Sequence, residues 1–268
     1  VFGWGYDPRK MREGQTKIEP FITRPYQDRC LHELNDAFGR EDLFQGKSRA
    51  VGGTFLLLWK YAHVLTFGSG DTLMLVSCKE ERVDNRADPD SLFWKLKWIL
   101  DHLPTWIRPP YEATHMHIEN PETGCSVIGT STTADIARGG RKGAIGMDEF
   151  QAFPDGERSA RSAQHATDCR IFLGTPDGAG NAFYTHAMKA QAGDIRAVWM
   201  HWSEDPNKAA GMYRTHEGRI EAIDVAYWRK RLGLEYDKCG PDEVNQALND
   251  SVLDYKFVLD HKVRSPYY

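Results

Sequence analysis

A glycine-rich turn that opens directly into an apolar helix constrains this chain more than any other feature. It covers residues 46–59, GKSRAVGGTFLLLW, and is similar to the standard phosphate-binding pattern G-x-x-x-x-G-K-[ST]. Gly52 takes the place of the second glycine and Thr54 that of the hydroxyl. Lys47 then stands where the first glycine belongs, and Gly53 stands where the lysine belongs. Since a helix N-terminus offers free N–H groups to an anion, the stretch predicts either a phosphate-binding loop with a displaced lysine or an ordinary loop.

An acidic pair at the end of a short apolar run favours the first alternative. Residues 142–150, KGAIGMDEF, have the pattern of a buried parallel strand that ends in two carboxylates. In a nucleotide hydrolase, Asp148 would hold Mg²⁺ through its water shell, and Glu149 would accept the proton of the attacking water. A strand that ends in a solvated Asp-Glu turn is common by itself. Downstream of a glycine-rich loop, however, it makes the chain a candidate nucleotide hydrolase.

Composition suits one large α/β domain with an appendage. The chain has 268 residues, of which 41% are hydrophobic and 27% charged, enough to bury a sizeable core. It has no apolar run of the roughly 18 residues that a membrane span needs and no signal-like segment, so we expect a soluble, cytosolic protein. The five scattered cysteines argue against a zinc ribbon or a disulfide framework. A net charge of −4 argues against general polyanion binding, so any nucleic-acid contact must be local.

Alternating strand and helix patterns predict a mainly parallel central sheet flanked by helices. We expect an N-terminal arm over residues 1–20, a core over 21–206 and a small, polar and helical lid or linker subdomain over 207–268. The carboxyl ends of parallel strands meet at one edge of the sheet, where ligand crevices form. The residues predicted to meet there are Ser48, Asp148, Glu149 and Thr175.

Individual elements follow from local patterns. Helices are expected from Pro25 and from Thr54 to about Phe67. Residues 41–45 must form the strand that precedes the loop, although they are few and weakly apolar. Residues 113–120 are predicted to form one strand.

Six segments carry a family resemblance. They are RPYQ (24–27), KSRAVGGT (47–54), LVSCKEER (75–82), ARGGRKG (137–143), MDEF (147–150) and LGTPDGAGNAFY (173–184). In this order they resemble the ATPase module of the large terminase subunit, the DNA-packaging motor of tailed bacteriophages, many of which carry the lysine at the start of the loop. The resemblance covers residues 20–206 and implies a P-loop NTPase fold of the ASCE type.

The resemblance also implies roles around a bound ATP. Gln27, beside Tyr26, would lie at the adenine end of the nucleotide. Lys47 would be the phosphate-binding lysine, and Arg49 would sense the γ-phosphate. Other residues implied to contact the nucleotide are Ser48, Gly52, Gly53, Thr54 and Thr175.

Further implied roles concern catalysis and coupling. Thr54 and Asp148 would coordinate Mg²⁺, Glu149 would be the catalytic base, and Thr175 would report the nucleotide state to the rest of the domain. Arg138 matches an arginine proposed to enter a neighbouring subunit's site, with Arg141 as the second choice.

The family's partners are double-stranded DNA, the portal protein, the small terminase subunit and further copies of the chain in a ring, expected to be a pentamer. The expected location is the host cytoplasm, docked on the procapsid portal during packaging. No paired acids end a buried strand after Pro206, so we expect the motor half without nuclease activity, leading toward a nuclease domain absent from this sequence. Two alternatives stay open, a helicase-like P-loop motor and a catalytically silent nucleotide- or DNA-binding assembly module.

Overall fold

The chain divides into two compact units, residues 1–200 and 201–268. A computed structural model describes residues 3–6, 16–132, 136, 140–216, 219–235, 239–251 and 263–264. The sequence placed the end of the core at residue 206. In the structure the first unit ends earlier, with the edge strand that finishes at Met200.

A sheet of eight strands forms the centre of the first unit. The strands of this unit are β1 (Trp4–Tyr6), β2 (Ile18–Pro20), β3 (Leu43–Lys47), β4 (Thr72–Ser77), β5 (Glu112–Thr114), β6 (His117–Asn120), β7 (Cys125–Ser131), β8 (Ala144–Met147), β9 (Arg170–Gly174) and β10 (Arg196–Met200). The sheet order is β10-β3-β9-β8-β4-β7-β6-β5. The strands from β10 to β7 are parallel, and β6 and β5 are antiparallel. The predicted mainly parallel α/β sheet is confirmed, and β9 separates the loop-bearing β3 from the acid-bearing β8.

Helices cover both faces of this sheet. They are α1 (Pro25–Ala37), α2 (Gly53–Phe67), α3 (Glu80–Val83), α4 (Leu92–Asp101), α5 (Gly156–Gln164) and α6 (Ala182–Ala192). Successive side chains of a strand point to opposite faces. Leu43 and Leu73 pack in a core with α1, α2 and α4, whereas Phe44 and Met74 pack with α5 and α6. The site-bearing strands are therefore held rigidly from both sides.

Strand β3 is fully buried even though its sequence, LFQGK, is only weakly apolar. It pairs with β10 on one edge and β9 on the other, so Gln45 and Lys47 are enclosed with it. The strand runs to Lys47, which pairs with Met200. The predicted bounds were wrong at both ends, and the predicted turn at Gly46 begins at Ser48 instead, because pairing with β10 extends the strand.

The predicted N-terminal arm needs correction in its described part. Strands β1 and β2 pair antiparallel. The Tyr6 ring lies 5.3 Å from the Trp94 ring and 5.9 Å from the Trp98 ring, between ring centroids. These aromatic contacts hold the segment on the core, which a search for local periodicity does not detect.

The strand predicted over residues 113–120 is broken by a tight turn. Met116 has a left-handed backbone, with φ 59°, and its N–H donates to Asp84 Oδ2 at 2.9 Å. Strands β5 and β6 therefore fold back on each other, with Thr114 opposite His117.

The second unit is smaller. It contains α7 (Pro206–Ala209), β11 (Tyr213–His216), β12 (Arg219–Ala222), α8 (Val225–Arg231), α9 (Pro241–Asp250) and β13 (Val263–Arg264). The predicted helical character is incomplete, since a three-stranded sheet in the order β12-β11-β13 accompanies the helices. Trp228 is fully buried in its core with Val244 and Leu248. Across the described part of the chain, every helix is too short or too polar to cross a membrane.

Candidate active site

The carboxyl ends of β3, β8 and β9 bring the predicted polar side chains together. Lys47 Nζ lies 3.4 Å from Glu149 Oε1 and 3.4 Å from Thr175 Oγ1. Thr54 Oγ1 donates to Asp148 Oδ1 at 2.8 Å. This convergence follows from the strand order, because β9 carries Thr175 between the lysine and the acids. The two predicted motifs therefore form one cluster.

The loop between β3 and α2 is compact and left-handed in part. The Ser48 N–H donates to Met200 O at 2.9 Å, which ties the start of the loop to the edge strand. Ala50 has φ 54° and Gly52 has φ 87°, a conformation that glycine adopts without strain. Helix α2 then begins at Gly53 with no acidic residue in its first turn. Its first N–H groups have no partner within the helix and provide an anion-binding end.

Gly53 explains how the displaced lysine fits. A Cβ at position 53 would lie 2.6 Å from Lys47 Cδ and 2.9 Å from Met200 Cε. The stem of Lys47 thus fills the space next to the position where the standard pattern has its lysine. Gln45, which sequence analysis did not single out, donates from Nε2 to Gly53 O at 3.3 Å. A lysine at 47 and a glycine at 53 are therefore complementary.

Asp148 is nearly enclosed, with 6% of its surface exposed. Burial raises the pKa of its carboxyl above the usual range, while Lys47 opposes this rise and Glu149 adds to it. The adjacent Thr54 hydroxyl supplies a second hard oxygen. Mg²⁺ prefers such donors and is commonly held by one or two carboxylates together with substrate phosphates. The pair fits a magnesium ion, whose charge would favour the buried carboxylate.

Glu149 is held in an unusual backbone conformation. Its φ and ψ are 57° and 43°, which costs a non-glycine residue of order 1–3 kcal/mol and is often found at functional sites. Its side chain is 42% exposed, so solvent can reach the carboxylate. Oε2 accepts a hydrogen bond from Gln151 Nε2, and Gln151 Oε1 accepts one from the Thr175 N–H at 3.1 Å. Gln151 was missed, and its only signal was a polar residue in the apolar segment after the acids.

Tyr26 and Gln27 support the loop from helix α1. Gln27 Nε2 donates to Val51 O at 3.1 Å, and the Tyr26 hydroxyl donates to the same oxygen at 3.3 Å. Gln27 Oε1 accepts from the Arg24 N–H at 3.0 Å. Both polar ends of the Gln27 amide are thus engaged within the protein. Their implied contact with adenine stays a prediction.

The predicted arginines are exposed or lie beyond description. Arg49 is exposed in the loop. Arg138 lies outside the described residues, and its alternative, Arg141, is exposed. The roles implied for these arginines stay predictions.

Comparison with known proteins supports the fold. No protein-family model and no curated protein matches the sequence. The HK97 bacteriophage large terminase aligns with a TM-score of 0.54 at 11% identity, over 69% of this chain and 40% of that one. The large terminase of a thermophilic bacteriophage gives 0.51 at 15% identity, over 70% of this chain and 47% of that one. The Thermus phage P74-26 large terminase ATPase domain gives 0.51 at 12% identity, over 70% of this chain and 84% of the domain.

The chain therefore spans less than half of the first two of these terminases but most of the Thermus phage ATPase domain. The predicted P-loop NTPase fold is confirmed, as is the structural resemblance to large terminase ATPase domains.

Proposed function

We propose that this chain is a terminase-like P-loop ATPase that hydrolyses ATP to drive double-stranded DNA into a procapsid. The observation that carries the proposal is the meeting of Lys47 Nζ with Glu149 and Thr175, each at 3.4 Å, beside the Thr54–Asp148 pair. A cation, an exposed carboxylate and hard oxygen donors at a helix N-terminus are the groups that phosphoryl transfer to water requires. The fold similarity to large terminase ATPase domains supports the same function.

Each residue has a distinct task in this proposal. Lys47 and the first N–H groups of α2 bind the phosphates of ATP. Glu149 accepts the proton of the attacking water, since its carboxylate is exposed and water can reach it. Thr54 and Asp148 would hold Mg²⁺, which neutralises phosphate charge when bound. Arg49 is proposed to sense the γ-phosphate.

The packaging role rests on the family resemblance. It implies DNA, the portal protein and the small terminase subunit as partners, with several copies of the chain in a ring in the host cytoplasm. In such a ring Arg138 is proposed to complete a neighbour's site. The unit covering residues 201–268 is proposed to act as a lid or linker.

The direct experiment is to measure release of inorganic phosphate from ATP by the purified chain, at several protein concentrations and with Mg²⁺ or EDTA. We expect magnesium-dependent turnover whose specific activity rises with protein concentration, because a neighbour's arginine completes each site. Tight ATP binding without any phosphate release would contradict the proposal and favour a silent assembly module.

Replacing Asp148 with alanine is expected to weaken ATP binding only when Mg²⁺ is present. The reason is that Asp148 contributes a metal ligand and makes no contact with the phosphates in its own right. Calorimetric titration with ATP, in Mg²⁺ and in EDTA, measures the difference, and Asp194→Ala at an exposed position is the control. Equal loss of affinity in both buffers would remove the metal role from Asp148.

Replacing Gly53 with alanine is expected to lower ATP affinity by about 3- to 10-fold, a loss of about 1 kcal/mol. The new Cβ would force the Lys47 stem or Met200 aside, whereas alanine by itself favours a helix. Gly5→Ala is the matched control, since a Cβ there meets nothing nearer than 3.8 Å. Unchanged affinity would show that the lysine tolerates the added methyl group.

A further inference from the structure

Four side chains of the site close a ring of polar contacts. Lys47 Nζ approaches Glu149 Oε1 at 3.4 Å, and Glu149 Oε2 accepts from Gln151 Nε2. Gln151 Oε1 accepts from the Thr175 N–H at 3.1 Å, and Thr175 Oγ1 returns to Lys47 Nζ at 3.4 Å. We call these four residues the Gln151 ring. It joins β3, β9 and the turn after β8 through a residue that carries no charge.

The surrounding backbone accommodates this arrangement. Glu149 takes its left-handed conformation, and the 3₁₀ turn Phe150–Ala152 follows at once. Gly174 at the end of β9 leaves space for the Gln151 amide, because a Cβ there would collide with Gln151 Oε1 and with the Phe183 ring. The amide therefore lies between the candidate base and the end of β9, with one polar end directed to each.

The ring holds both oxygens of Glu149. In this state Oε1 faces Lys47 and Oε2 faces Gln151. A phosphate bound by Lys47 competes with the first contact, since one ammonium group then faces two anions. The contact with Gln151 is not competed for in this way and can keep the carboxylate oriented while Oε1 becomes available to water.

We propose that Gln151 is a positioning residue that orients Glu149 for proton transfer and links its position to the backbone of Thr175. The inference rests on the proposed ATPase function. It predicts that the two ends of the Gln151 amide have separable effects. The Nε2 end governs turnover through Glu149, and the Oε1 end governs the stability of the hydrogen bond at Thr175.

Two substitutions separate these ends. Gln151→Leu removes both hydrogen bonds, whereas Gln151→Glu keeps an acceptor for the Thr175 N–H but loses the donor to Glu149 and adds a like charge. We expect turnover to fall about tenfold or more in both variants, the size expected for a lost hydrogen bond to a charged group. ATP affinity should stay within about twofold of the unmodified chain, because neither variant touches Lys47 or α2.

Hydrogen exchange supplies a readout that does not depend on activity. The Thr175 amide should exchange faster in Gln151→Leu and stay protected in Gln151→Glu. Gln164→Leu, at an exposed glutamine near the end of α5, should change neither turnover nor exchange. Thermal unfolding of each variant identifies any general loss of structure.

The outcomes are distinct. Turnover within about twofold of the unmodified chain in both variants would overturn the role of Gln151 while leaving the ATPase function intact. A parallel fall in turnover, ATP affinity and unfolding temperature would also overturn it, because that pattern indicates a structural role only. Absence of ATP hydrolysis by the unmodified chain would instead refute the proposed function, and the inference with it.

Discussion

Replacing Glu149 with glutamine is expected to lower the rate of ATP hydrolysis by about 10²- to 10⁴-fold, the usual contribution of a general base. Glutamine keeps the size of the side chain and can still meet Lys47 and Gln151, but its amide cannot take a proton from water. The left-handed backbone at position 149 is unchanged in kind. ATP affinity should be retained or rise, because a negative charge is removed from beside Lys47.

Single-turnover hydrolysis and equilibrium ATP binding should be measured on the same preparations. Glu122→Gln, at an exposed position in the turn before β7, is a charge-matched control that should behave as the unmodified chain. Hydrolysis at the normal rate by Glu149→Gln would remove this residue from the mechanism. The nearby Asp148 would then have to be examined as the base.

Replacing Lys47 with alanine is expected to lower ATP affinity by about 10- to 100-fold, the loss expected for a hydrogen bond between charged groups. Only 8% of the lysine side chain is exposed, so little solvent screens its interaction with a phosphate. Lys189→Ala, at an exposed site on α6, is the control. If Lys47→Ala binds ATP normally, the alignment of the loop with the phosphate-binding pattern is wrong.

A paired substitution tests why the lysine stands at this end of the loop. Gly53→Lys alone should bind ATP poorly, because its Cβ would lie 2.6 Å from the Lys47 stem. The double variant Lys47→Ala/Gly53→Lys removes that stem and restores the standard pattern. It should recover part of the affinity lost by Lys47→Ala. A double variant no better than either single one would mean that the loop itself is shaped for a lysine at position 47.

The parts of the site that depend on local patterns could be predicted from the sequence. The apolar run of α2, the acids after β8 and Thr175 after β9 all follow from short segments, and the parallel sheet brings their ends together. The lysine was also assigned correctly as a member of this cluster. Each of these features is encoded within a few residues of the side chain concerned.

Features that depend on distant partners could not be predicted in this way. Strand β3 extends to Lys47 because β10, far along the chain, pairs with it. The ribbon of β1 and β2 is held by Trp94 and Trp98. Gln151 acquires its place only when Thr175 lies opposite. In each case the deciding contact joins segments whose separation in sequence carries no periodic signal.

The central claim is that ATP binds where Lys47, α2 and the two acids meet. The most direct measurement is a crystal structure of the chain with Mg²⁺ and a non-hydrolysable ATP analogue. The account predicts phosphates at the N-terminus of α2, with Lys47 turned from Glu149 to the terminal phosphate and Mg²⁺ beside Thr54 and Asp148. A nucleotide bound elsewhere on the chain, with the contact between Lys47 and Glu149 intact, would contradict it.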